Sequence, residues 1–178
     1  TVHFQKALAL AEGARDAKRS AWCELRLMSA LSERDGSEAA VPRLSTVRTS
    51  VTRLGDPIVA TALHVFLSEV EGKRGMVHSA ARHARRALSL LSHEENIWLE
   101  SRALNTLVAV AIMLSDLSEA VGLGHRALDL AETSGAVAMR WACLANLGNA
   151  FYQIGDLDKS IDYFRLAAAF APDVGEHS

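Results

Sequence analysis

Cysteine is scarce in this chain: there are two in 178 residues, Cys23 and Cys143. That excludes a disulfide framework of the kind that staples small secreted domains. Proline is almost as rare, with three residues, so long helices meet few breakers. β-Branched residues do not cluster in alternating runs, which argues against strands and for an all-α chain. No excess of one charge exists: 19 basic and 21 acidic side chains leave a net charge of −2. A globally basic nucleic-acid binder is thereby excluded, though a local patch is not. No apolar run approaches the roughly 18 residues of a membrane span. The first residues lack a basic-then-apolar signal pattern, because His3, Gln5 and Lys6 interrupt it. Free thiols and these absences together lead us to expect a cytoplasmic setting. What the chain does have is apolar content, 49% of residues, enough for one continuous core.

That apolar content is periodic. Leu27, Leu67, Leu107 and Leu147 recur at forty residues, and Ala7, Ala87, Ala127 and Ala167 fall in the same register. Ala40, Ala80 and Ala120 fall in register with Ser160, and Leu10, Leu90 and Leu130 with Phe170. The last repeat is the most regular. Counted from Trp141, it has Leu144 and Leu147 at positions 4 and 7, Gly148 at 8, Phe151 at 11 and Gly155 at 15. Ser160, Phe164, Ala167 and Pro172 follow at 20, 24, 27 and 32. This pattern resembles the tetratricopeptide repeat (TPR), with Ser160 the one departure from the usual Ala. The forty-residue form is similar to the arrays of MalT-type transcription regulators and of LGN-type scaffolds. The phrase from Ala127 to Gly135 resembles the repeat ends of both.

The resemblance implies a right-handed α-solenoid of antiparallel helix hairpins, one repeat domain spanning 1–178. We divide it into a partial repeat, 1–20, and repeats at 21–60, 61–100, 101–140 and 141–178. The chain starts inside a repeat, at a second (B) helix, and is expected to be a segment of a larger protein. First (A) helices are predicted at 15–34, from Pro57 to about Gly72, from Ser92 to about Leu114, and at 137–154. The B helices are predicted from Ser37 to about Leu54, from Met76 to Leu91, from Asp116 to about Thr133, and at 157–171. Pro42 should kink or delay the first of these. Gly55-Asp56-Pro57 is a stop-and-start signal. Ser92 with Glu95, and Asp116 with Glu119, read as capping boxes. The tail from Pro172 is expected to fray. Both cysteines fall at position 3 of non-adjacent repeats, so a bridge between them is excluded inside a solenoid.

No catalytic constellation can be placed, and we expect no enzyme, no cofactor and no metal. Gly122-Leu123-Gly124-His125-Arg126-Ala127 matches a dinucleotide pattern, but without the preceding strand it needs. His78 and His83 lie about 140° apart round a helix and do not face one site. His64 is expected to be a core or groove-edge imidazole with one partner. Gly122 and Gly124 read as room for a bulky neighbour such as Trp141; the alternative is a small pocket beside Gly124. Lys73, Arg74, His78, Arg82, Arg85, Arg86 and His93 cluster in one repeat. His78, Arg82 and Arg86 share a helix face, either a solvated convex surface or a docking patch for an acidic partner or nucleic acid.

Helical phase places positions 2, 5, 9, 12 and 13 of each A helix on the groove side. The best candidates there are Trp22; Glu69 and Lys73; Trp98, Arg102, Asn105, Ile112 and Met113; and Asn149, Tyr152 and Gln153. The alternative for each is ordinary solvent-facing helix. This mixture suits an amphipathic or extended peptide. The carboxylate-clamp pattern of chaperone-binding TPRs is not matched, since only Arg102 and Asn149 sit at comparable places. The expected role is therefore a protein- or peptide-binding sensor or scaffold segment of a larger signalling or transcription regulator. The alternative is a homodimerisation module using exposed terminal helices, with apolar side chains such as Phe4 and Phe170. Neither a membrane nor, for this segment, nucleic acid is an expected partner.

Overall fold

The computed structural model describes residues 2–91 and 96–169, with the side chain of Ser37 not described. Among these residues the chain forms nine α-helices and one 3-10 turn, and no strand. The helices are α1 (Val2–Gly13), α2 (Ala17–Asp35), α3 (Val41–Leu54), α4 (Pro57–Lys73) and α5 (Val77–Leu91). They continue as α6 (Ile97–Met113), α7 (Leu117–Thr133), α8 (Val137–Ile154) and α9 (Leu157–Ala169). The even-numbered helices begin at residues 17, 57, 97 and 137, so the forty-residue period is a spatial one.

The starts are chemically marked. Asp16, Asp56 and Asn96, forty residues apart, each accept the backbone N–H three residues on, from Arg19, Val59 and Leu99. Asp116 and Asp156 do the same for α7 and α9. Each cap is worth about 1 kcal/mol. Asn96 is therefore the cap of α6, two residues before Trp98; the Ser92 and Glu95 box lies outside the described residues. Of the Asp116–Glu119 box only the Asp116 half forms, and the Glu119 carboxylate turns to Arg85 instead. Ser37 lies inside a 3-10 turn, Ser37–Ala40, so it does not cap α3. Pro42 sits in the first turn of α3, where its missing N–H costs nothing, and it delays the helix without kinking it.

Stacking follows from the periodic side chains. The even-numbered helices pack on one another in order, and each odd-numbered helix packs on the even-numbered helix before it and the one after. Leu27, Leu67, Leu107 and Leu147 are all buried. Ala40, Ala80, Ala120 and Ser160 are buried where the two helices of each hairpin cross. Ser160 is no weak point. Its hydroxyl donates to the Gly148 carbonyl at 2.9 Å, and in an earlier hairpin Ser68 donates to Ala80 at 2.8 Å. The same crossing is tied from opposite sides.

The unusual polar residues at core positions have polar neighbours, although Glu71 Oε2 is buried without a hydrogen-bond partner among the described residues. Glu24 accepts from Arg43 at 2.7 Å. His64 and His83 share a hydrogen bond between their Nδ1 atoms at 2.9 Å, and His83 Nε2 lies 3.6 Å from Glu71. His64 has the single partner the sequence suggested. Gly124 does make room, but for Leu147 rather than Trp141. A Cβ there would come within 2.6 Å of the Leu147 side chain, so that side chain fills the space of the alternative pocket. Gly122 has nothing within 4 Å of a built Cβ. Both cysteines are free, and burial pushes the Cys143 thiol up to about 12.

Candidate functional site

The site is built on three neighbouring helices, α2, α4 and α6, which expose one row each on the same face. Trp22 on α2 and Trp98 on α6 approach with ring centroids 6.4 Å apart, tilted by 53°. Position 2 of the first hairpin and the residue two past the α6 cap thus meet across α4. Both indoles are half-buried. Trp98 packs on the cluster that includes Val65, Ala87, Leu99 and Ala103.

Two guanidinium groups frame Trp98. The Arg102 carbon lies 4.8 Å from its ring centroid and the Arg26 carbon 5.1 Å. Arg102, one turn beyond Trp98 on α6, also grips Glu69 of α4. Its Nε donates to Oε1 at 3.0 Å and its Nη2 to both carboxylate oxygens. A two-pronged guanidinium–carboxylate pair fixes orientation as well as charge. The Arg102 side chain is 11% exposed and Glu69 27%, so this pair is mostly out of water. Arg26, by contrast, stacks on Trp98 and on Phe4 of α1, the latter at 5.5 Å, without a hydrogen-bond acceptor among the described residues; the Glu33 and Glu69 carboxylates reach it only through their charge. Burial, and then the nearby Arg102 charge, hold its pKa below the ordinary value.

Further along the face, Asn146 Nδ2 donates to Asn105 Oδ1 at 2.9 Å, linking α8 to α6. The remaining amide donors of Asn105 and the acceptor of Asn146 suit a peptide backbone. Beside Trp22 a cleft of about 490 Å³ is lined by Ala7, Leu10, Ala11, Cys23 and Val59 as well.

The structure thus brings together Trp22, Glu69, Trp98 and Arg102, with Asn105 next along the row. Ile112 is half-buried against Val108, Ala111, Ala120 and Ala150 and serves packing more than recognition. Lys73, Met113, Asn149, Tyr152 and Gln153 are exposed and make no bond to the tryptophan cluster among the described residues. Position 5 is not a uniform groove position, since Leu25 and Val65 are buried. The phase argument missed Arg26 and Asn146, which occupy position 6. Both lie one turn beyond position 2, a signal that was available in the sequence.

On α5, His78, Arg82 and Arg86 are exposed, opposite the buried Ala80, Ala84 and Ala87. Among the described residues, Arg82 and Arg86 donate to the Ser79 and Ser89 hydroxyls. Arg74 and Arg85 pair with Glu38 and Glu119, so the patch is smaller than the sequence implied. His93 lies outside the described residues. Among the described residues no three His, Cys, Asp or Glu side chains gather as a metal site, and no helix is long and apolar enough to cross a membrane. The Gly122–Ala127 pattern lies within helix α7, and no strand precedes it among the described residues.

An open, side-chain-rich face on stacked helical hairpins defines the class: a TPR-like α-solenoid. Two solved structures share the fold. One is a signal transduction ATPase with numerous domains (STAND) protein with a tetratricopeptide repeat sensor, PH0952 from Pyrococcus horikoshii. It aligns over 94% of this chain with a TM-score of 0.68 and 18% identity. The other is BtubC (BKLC) from P. vanneervenii, aligned over 98% of this chain with a TM-score of 0.73 and 18% identity. The chain spans 26% of the Pyrococcus protein's length and 73% of BtubC. No protein-family model matches the chain, and no curated protein matches its sequence.

Proposed function

We propose that this chain is a peptide- or protein-binding sensor segment of a larger regulator, with its ligand seated on the face formed by α2, α4 and α6. The observation behind this reading is the tryptophan pair flanked by Arg26 and Arg102. Large aromatic side chains next to guanidinium groups are the commonest anchors of binding energy. They cost little conformational entropy to order, and here Glu69 already orders Arg102. The likeness to a STAND protein whose TPR region is a sensor supports the wider role, in keeping with the MalT-type resemblance. On this reading the chain is cytoplasmic and performs no catalysis.

A random peptide library displayed on phage and selected against the chain tests the proposal. Hydrogen exchange with a selected peptide should protect α2 and α6 around Trp22 and Trp98. Protection confined to α5 around His78, Arg82 and Arg86 would contradict it.

A second reading rests on α9. Leu157, Ile161 and Leu166 are 55%, 47% and 51% exposed there, an apolar surface that suits pairing between copies. A concentration-dependent rise in mass by light scattering, abolished by Ile161→Lys, would favour it. A strict monomer at high concentration would reject it.

A further inference from the structure

On the groove face, the Arg26 guanidinium lies over aromatic rings without a hydrogen-bond acceptor among the described residues. Arg102 is neutralised by Glu69 through three hydrogen bonds. Arg26 is half-buried, lies over two aromatic rings, and has no carboxylate, carbonyl or hydroxyl accepting from it among the described residues. A guanidinium partly removed from water loses hydration that only an acceptor can replace. Ring faces stabilise its charge but take none of its N–H donors. The Trp22 and Trp98 indoles lie beside it and offer apolar area.

We infer that Arg26 is the seat for a carboxylate of the bound peptide, so that the partner is an acidic segment pairing an Asp or Glu side chain with an adjacent apolar side chain. The charge arrangement is specific. Glu69 is held by Arg102 through hydrogen bonds, and Glu33 is exposed two turns along α2; both carboxylates act on Arg26 through their charge, and neither accepts a hydrogen bond from it among the described residues. The peptide's carboxylate meets the Arg26 fork, its apolar side chain meets the indoles, and its backbone reaches the Asn105–Asn146 amides. A bound carboxylate would also offset the burial and then the Arg102 repulsion that together lower the Arg26 pKa.

This rests on the proposed groove reading, and the experiment separates the two. Synthetic peptides from the phage selection are made in pairs, each Asp or Glu against its Asn or Gln counterpart. Both are titrated calorimetrically against the wild-type chain, Arg26→Gln and Arg26→Lys, with helicity checked by circular dichroism. The wild type should prefer the carboxylate member by about tenfold, the scale of one charge-assisted hydrogen-bond pair. Arg26→Gln should abolish the preference and Arg26→Lys should retain part of it, because the charge remains but the fork is lost. Equal affinity of the two members for the wild type would overturn the carboxylate seat while leaving the groove reading intact. No groove-binding peptide at all would overturn both. If Arg26→Gln fails to fold, the paired peptides on the wild-type chain, and their loss of preference at high salt, still decide the matter.

Discussion

Single residues carry sharp consequences where a side chain meets the opposing helix. Gly124 and Gly122 sit two residues apart on α7, yet they should respond oppositely to alanine. A Cβ at Gly124 meets the buried Leu147 at 2.6 Å, whereas Gly122 faces open space. Gly124→Ala is expected to destabilise the chain by about 1–3 kcal/mol through overpacking. Gly122→Ala should stabilise it by up to about 1 kcal/mol through helix propensity. Urea denaturation of both variants checks this pair. His64 gives a second residue-scale expectation. Burial, and then the His83, Arg86 and Arg48 charges, pull its pKa from 6.5 down to about 4, and His83 is lowered as well. Between those values the unfolded chain takes up a proton that the folded chain refuses. Stability should therefore be flat above the unfolded value and fall as pH drops from 6.5 towards 4. In His64→Gln the loss between pH 7 and 5 should be smaller than in wild type, as read by denaturation midpoints at the two pH values.

Helices were largely legible in the sequence; their cross-links were less so. The forty-residue recurrence of Leu27, Leu67, Leu107 and Leu147 located every hairpin, because a repeat places equivalent side chains in equivalent layers. Trp22, Trp98, Arg102 and Glu69 were reached from helical phase alone. What phase cannot show is which side chains bend towards a neighbour. Arg26 stacks on rings from α1 and α6, and Asn146 reaches Asn105 across hairpins, so both contacts depend on how the hairpins stack. Likewise nothing local reveals that His83 faces His64 on the preceding helix. The Glu69–Arg102 pair ties α4 to α6 and should be felt between elements. Glu69→Ala leaves a guanidinium that is 11% exposed without its carboxylate. We expect a loss of about 2–3 kcal/mol, below the 3–5 of a fully buried pair because Glu69 retains some water contact. Differential scanning calorimetry should show one cooperative transition moved to lower temperature.

At the scale of the whole molecule, the account holds that an otherwise ordinary solenoid concentrates recognition at one aromatic–guanidinium cluster. The competing account is that Trp98 is a packing residue, since it touches the cluster of Val65, Ala87, Leu99 and Ala103. A paired measurement on Trp98→Ala tests this most directly, with melting temperature and affinity for a selected peptide taken on the same sample. A groove anchor should lose about 2 kcal/mol or more of binding, roughly thirtyfold, per folded molecule. Its melting temperature should drop by only a few degrees, as for a half-buried side chain. A large fall in melting temperature with affinity per folded molecule unchanged would contradict the account.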